Sequence, residues 1–393
     1  MAIDTIGTNA IANDAVNAAK IAAGAVDADI TTLPDGSVTT AKIADNAVTS
    51  AKALNLGRRN LIINGGMQVF QRATSATTMT NTYGAVDRFR GFSNGGGAFT
   101  GEKYDMTASE IATTGQYQAL KMLVSTADTS IDAAEYYSLQ YKFEGDDLQH
   151  LKYGSSSAES FTVSFWVKSD TTGTYFLTVD KIANGLTAYR IPIEYTISSA
   201  DTWEQKVITV SPTAGGTSLI TSSAGAIGGG TGHGLSLYWG FAWGTDYHGT
   251  NNTWGTGTYG TNATANGWMG TVGNDFYITG VQLEVGDTAT DFEHRSYGEE
   301  LPLCQRYYQL FSSGGAGTAT GASQSASAQS GVTFSTEMRD APNITIGTTT
   351  ATSNTSGISA ADISAHGCRM AASSNSSGRQ YWFVATSIAE KEL

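Results

Sequence analysis

The chain has 393 residues, of which 15% are charged, with 46 glycines against 5 prolines and a net charge of −13 from 35 acidic and 22 basic side chains. That balance argues against a nucleic-acid partner and against anionic membrane surfaces, because phosphate binding needs clustered Lys and Arg. No stretch approaches the roughly 18 apolar residues of a membrane span, so no membrane insertion is expected; the opening MAIDTIGTNA lacks the basic and apolar regions of a secretory signal, which points to folding in a cytoplasm.

From Ile6 to Ala53 an aliphatic residue returns every fifth position: Ile6, Ile11, Val16, Ile21, Val26, then after a two-residue slip Leu33, Val38, Ile43, Val48 and Ala53. In a helix a step of five turns the side chain through about 140°, and in a strand an odd step changes the face, so neither element gathers these residues. A pentad suits short extended pieces that stack regularly, and the segment reads as a shaft. The unit is a decad: Ala15-Val16, Lys20-Ile21 and Ala25-Val26, then Ser37-Val38, Lys42-Ile43 and Ala47-Val48, mostly alternate a small residue with lysine before the anchor. One anchor per unit buries too little apolar surface to offset about 1–2 kcal/mol of backbone entropy per residue. Several chains wound together would bring Val16, Ile21, Val26, Val38, Ile43 and Val48 to a common axis. A square β-helix is the alternative, disfavoured because Asp14, Thr40 and Asn46 stand where it wants small residues; a low-complexity linker is the other.

Beyond Leu56 aromatic and β-branched runs alternate with Gly, Asn and Ser clusters. Period-two patterning predicts strands over 61–63, 67–70, 117–124, 136–143, 161–168, 174–179, 188–195, 204–210, 236–243 and 275–284, with Phe161, Val163, Phe165 and Val167 on one face. Many short strands and no convincing amphipathic helix mean a sandwich. From Ser312 to Gln329 the chain is almost exclusively small residues, after which strands return at 331–334, 343–348 and 380–385. The expected architecture is all-β: a repeat shaft over 1–57, a β-sandwich over 58–311 and a small C-terminal β-domain over 312–393.

The edges of these regions carry specific motifs. Asn60-Leu61-Ile62-Ile63-Asn64-Gly65-Gly66-Met67, Gln71-Arg72 and Asp87-Arg88-Phe89 open the sandwich, followed by Ser164-Phe165-Trp166-Val167-Lys168-Ser169 and Thr202-Trp203. It closes on Ile278-Thr279-Gly280-Val281-Gln282-Leu283-Glu284-Val285-Gly286, Phe292-Glu293-His294-Arg295 and Glu300-Leu301-Pro302-Leu303-Cys304-Gln305-Arg306-Tyr307-Tyr308. Together these resemble a carbohydrate-binding-like jelly-roll module of bacteriophage tail fibres. The Met338-Arg339-Asp340-Ala341-Pro342 segment resembles the start of the β-domain behind that module, and the decads are similar to shafts of marine and cyanobacterial phage fibres. The resemblance implies a homotrimeric virion fibre assembled in the host cytoplasm and joined through its N-terminus to a tail adaptor or the capsid. Its expected work is adhesion to a host surface polysaccharide, with a purely structural decoration and a depolymerase spike as rivals.

Candidate chemistry concentrates between Gly232 and Gly270, which holds four of the seven tryptophans. Flat rings beside amides suit the apolar C–H faces and hydroxyls of sugars, so Trp254, Tyr259, Trp268, Tyr247 and His248 are the candidate glycan-binding residues. Interface or core packing is the competing reading, and Trp239 and Trp243, four apart on a strand, are expected in the core. Glu144, Asp146 and Asp147 could hold a Ca²⁺ ion but read better as a solvated turn. Cys304 and Cys368 lack metal-ligand spacing and read as core thiols. The five histidines, His150, His233, His248, His294 and His366, are scattered, no carboxylate pair suggests glycoside hydrolysis, and the glycines form no phosphate loop. No catalytic residue, metal or cofactor is therefore expected, and the chain is not expected to be an enzyme.

Overall fold

The computed structural model describes residues 58–182, 187–258, 260–261, 267–319, 328–375 and 378–393. The shaft residues Val16, Ile21, Val26, Val38, Ile43 and Val48 lie outside the described residues, as does Tyr259.

In chain order the strands are β1 (Thr77–Thr78), β2 (Phe89–Asn94), β3 (Ala98–Asp105), β4 (Gln118–Thr126), β5 (Tyr136–Glu144) and β6 (Phe161–Ser169). Then come β7 (Gly173–Lys181), β8 (Tyr189–Ile197), β9 (Glu204–Val210), β10 (His233–Trp243) and β11 (Asp275–Val285). The C-terminal set is β12 (Tyr308–Ala319), β13 (Ala328–Thr333), β14 (Asn343–Thr345), β15 (Thr349–Ser353), β16 (Thr355–Ser364), β17 (Gly367–Ser374) and β18 (Gly378–Glu390). Two short helices, α1 (Ala108–Thr114) and α2 (Tyr297–Gln305), interrupt them.

Two antiparallel sheets make the sandwich: a six-stranded sheet in the order β1-β3-β4-β11-β6-β9, and a five-stranded sheet in the order β2-β5-β10-β7-β8. Strand alternation sends Phe161, Val163, Phe165 and Val167 inward, as their spacing predicts, and all four are fully buried. They meet Leu139, Tyr141, Leu177, Val179, Leu237 and Trp239 of the five-stranded sheet in one core. The Phe165 and Trp239 rings touch edge-on across the sandwich at 5.8 Å.

The segments 61–63 and 67–70, expected as strands, are irregular. Two buried asparagines supply the hydrogen bonds that a ladder would. Asn60 accepts from the amides of Ile62 and Leu283 at 2.9 and 3.1 Å, and Asn64 accepts from those of Gln68 and Val69, both at 2.9 Å. Each also donates to backbone carbonyls, so the segment is tied to β11 and to the turn before β2 without joining a sheet.

Neither helix was expected, yet each starts at a legible capping box, Thr107 with Glu110 and Ser296 with Glu299. Helix α1 covers the outer face of the six-stranded sheet. There the Lys168 ammonium stands over the rings of Tyr277, Tyr104 and Trp203 at 4.2, 4.9 and 5.3 Å and binds Glu110 at 2.7 Å.

The small-residue stretch after Ser312 is strand as far as Ala319, where β12 pairs with β18 within a third, seven-stranded sheet. Its small residues have a packing reason, since a Cβ on Gly315 would lie 2.7 Å from Nε1 of the buried Trp382 indole. Ion pairs fasten this sheet to the sandwich. Arg72 binds Glu390 and Glu392, each at 2.9 Å, with its guanidinium 3.8 Å above the Tyr308 ring. Arg306 grips Glu144 through Nε and Nη2 at 3.0 and 2.8 Å, and the Tyr307 hydroxyl donates to the same carboxylate at 2.6 Å.

Glu144 is therefore committed to protein partners, Asp146 accepts from the Gly230 amide and Asp147 faces Arg58 at 3.8 Å. Among the described residues no cluster of metal-ligating side chains forms. Cys304 and Cys368 are buried free thiols.

Candidate functional site

Two of the proposed sugar-stacking tryptophans belong to the core. Trp268 is fully buried, its ring 4.4 Å from Phe241 and 6.0 Å from Phe99. Trp254 is equally enclosed, edge-on to Tyr153 at 6.3 Å, and its indole N–H donates to the Ser211 carbonyl at 2.8 Å. Both rings pack in the sandwich core, which removes them from any ligand surface. Tyr247 and His248 remain half-buried beside an aromatic cluster on the five-stranded sheet.

That cluster follows from strand geometry. With Tyr137, Leu139, Tyr141 and Phe143 inward, β5 turns Tyr136, Ser138, Gln140 and Lys142 outward. The registers extend this face across the sheet as two neighbouring rows, Arg90-Gln140-Tyr238-Thr178 and Lys142-Ser236-Asp180-Arg190. Trp239 and Trp243 are both buried, as expected, but they do not share a side. A register shift between Gly240 and Ala242 turns Trp243 outward to within 6.0 Å of Tyr238, while Trp239 stays in the core.

One end of the face is aromatic. Tyr136 stacks on Phe92 at 4.7 Å and on Trp243 at 5.2 Å, and Tyr247 stands edge-on to Tyr136 and Trp243, each at 5.4 Å. The turn from Gly244 to Thr261 frames it: Thr178 donates to the Gly260 carbonyl at 2.6 Å, and His248 Nε2 lies 3.3 Å from the Trp243 carbonyl oxygen. The floor is polar. Gln140 donates to the Tyr238 hydroxyl at 2.8 Å, His233 Nε2 lies 2.7 Å from Ser236 Oγ, and Arg190 pairs with Asp180 at 2.8 Å.

Burial sets the charge states of several groups on this face. Burial, reinforced by the Lys142 charge, brings the His233 pKa down to about 4, so its imidazole is neutral at pH 7. Burial, with Asp180 nearby, pushes the Tyr238 phenol up to about 12. Burial also raises Asp180, against the opposing hydrogen bond and charge of Arg190. Gln140 Oε1, Asp180 Oδ1 and Trp243 Nε1 are buried and find no hydrogen-bond partner among the described residues. All three are enclosed by protein, Asp180 at 0% and Gln140 and Trp243 at 3% exposure, so what this face presents to a ligand is its half-buried edge, Phe92, Tyr136, Tyr247 and His248.

Sequence reasoning missed Phe92, Tyr136, Gln140, Asp180 and Arg190 because they come from four strands, β2, β5, β7 and β8, that only the sheet unites. The signal was present in part: the inward alternation of β5 fixes which of its residues face outward.

No family model matches the chain, and no curated protein matches it. Solved structures to which the chain is similar include the tailspike protein 4 enzymatically active domain of bacteriophage CBA120, at 11% identity over 57% of this chain and with a TM-score of 0.30. This chain spans 21% of that one. A family 11 carbohydrate-binding module from a Clostridium thermocellum cellulase matches at 12% identity over 56% of this chain and 99% of that one, with a TM-score of 0.28. A xylan-binding domain from Paenibacillus barcinonensis matches at 10% identity over 55% and 98%, with a TM-score of 0.27. Likeness at this level says nothing of what this chain binds.

Proposed function

We propose that the protein is a non-enzymatic adhesin of a phage virion that binds host surface glycan on the outer face of its five-stranded sheet. The observation that carries this reading is the cluster, on that one face, of half-buried Phe92, Tyr136 and Tyr247 rings packed around Trp243, with His248 beside them. Pyranose rings offer the complementary surface, apolar C–H faces flanked by hydroxyls. Binding without hydrolysis suits the floor, because Asp180 is paired with Arg190 and glycoside cleavage calls for two carboxylates across the scissile bond.

The virion setting and the homotrimer rest on the fibre-like motifs and the pentad repeat. Three linked heads raise the effective concentration of later contacts, so weak individual sites suffice for adhesion. The test is retention on a glycan array and on host cells by the full chain and by a Tyr136→Ala variant, with light scattering for mass. The expected particle is about three times the 41.1 kDa chain, and the variant should lose at least about tenfold in affinity. A monomer refutes the trimer, unchanged binding by the variant refutes the site, and release of reducing ends from host polysaccharide makes the protein a depolymerase.

A further inference from the structure

A groove of about 600 Å³ opens away from that face, where the segment after Asn64 passes the start of β4 and the N-terminus of α2. This volume lies within the range of small-molecule sites. Tyr117 and Tyr297 line it and remain 73% and 54% exposed, whereas most rings of this protein are packed away. Three side-chain amides, Gln68, Gln116 and Gln118, share its wall. Gln116 is 2% exposed, yet its Nε2 finds no acceptor among the described residues. A buried amide donor left without a partner costs about 1–3 kcal/mol unless something fills it.

The charged groups at the rim are already engaged. Lys103 pairs with Asp105 at 2.8 Å, and Arg295 is held by Glu300 at 3.4 Å and by the Ile62 carbonyl at 3.1 Å. Gln68 Nε2 donates to the Arg295 carbonyl and Gln118 Nε2 to Asp105 Oδ1, each at 3.4 Å, so the amide donor left without an acceptor is Gln116 Nε2, beside two exposed phenol rings. A sugar hydroxyl matches that donor, and C–H faces match the rings.

We infer that this groove is a second saccharide site, selective for neutral sugar units, lined by Gln116, Gln68, Gln118, Tyr117 and Tyr297. It is independent of the outer-face site and would give each chain two points of attachment, so that avidity begins within a single chain.

The experiment compares the full chain, a Tyr117→Ala/Tyr297→Ala variant and a Tyr136→Ala variant on an array of neutral and uronate-containing oligosaccharides. Both tyrosines are largely exposed, so the double variant should melt with the parent; Gln116→Ala, checked by its melting curve, supplies a second probe. The expected result is a set of neutral glycans whose retention falls about tenfold in the double variant and persists in Tyr136→Ala. An unchanged profile for the double variant overturns the inference, as does a loss confined to uronate-containing glycans. If Tyr136→Ala alone erases binding, the groove fails and the outer face stands; if the double variant alone does so, the reverse holds. Retention of no glycan overturns both.

Discussion

Replacing Glu144 with alanine tests whether the C-terminal sheet is held to the sandwich by a buried ion pair or merely tethered. The carboxylate is 4% exposed and accepts from Arg306 Nε, Arg306 Nη2 and the Tyr307 hydroxyl. Breaking a buried pair costs roughly 3–5 kcal/mol when the remaining charge stays buried. The Arg306 side chain is 33% exposed and can take up water, which brings its part toward the low end. The Tyr307 hydroxyl is buried and loses its acceptor, adding about 1 kcal/mol or more. The expected loss is about 3 kcal/mol, or on the order of 5 °C in melting temperature for a chain of this size. Calorimetry on the full chain at fixed concentration measures it, and a cycle with Arg306→Ala should show coupling above about 1 kcal/mol. A shift below about 1 °C with additive single variants would refute the reasoning. Saturating calcium should leave the parent curve unchanged, because this carboxylate is already engaged; a calcium-dependent rise would restore the cation-loop reading.

Trp268→Ala should cost about 3–5 kcal/mol as a core truncation, read as a large fall in urea midpoint; a normal midpoint would return Trp268 to the surface. Burial opposes ionisation of Glu110, but the bonds from Lys168, Thr107 and Trp203 outweigh it and bring its pKa down to about 2. A depressed carboxylate contributes stability above its unfolded value near 4.5 and loses it as pH falls toward 2. Trp203 fluorescence should therefore report loosening of α1 in that window, and Glu110→Gln should flatten the profile. A Cβ on Gly260 would lie 2.0 Å from the Trp243 ring. Gly260→Ala should displace that indole, with about 1–3 kcal/mol lost by overpacking, and weaken glycan retention; an unchanged near-ultraviolet dichroism spectrum would show that the turn does not press on Trp243.

Much of this protein is written in local pattern. Period-two alternation predicted most sandwich strands and placed Phe161, Val163, Phe165 and Val167 on one buried face, because a pleated strand leaves each side chain two possible directions. Patterning failed where hydrogen bonding came from elsewhere: Asn60 and Asn64 replace a ladder in the apolar opening motif, and β12 is a strand of small residues stabilised by β18 and Trp382. The site was legible only in pieces. Tyr247 and His248 lie beside the aromatic cluster, but composition alone could not tell an exposed tryptophan from one that plugs the core, so Trp254 and Trp268 looked like ligands. Loops without periodicity carry no information on direction, whereas strands do. Phe92, Tyr136, Asp180 and Tyr238 become neighbours through long-range register, and Trp243 reaches them through a single bulge; both are set by tertiary pairing and by no spacing along the chain.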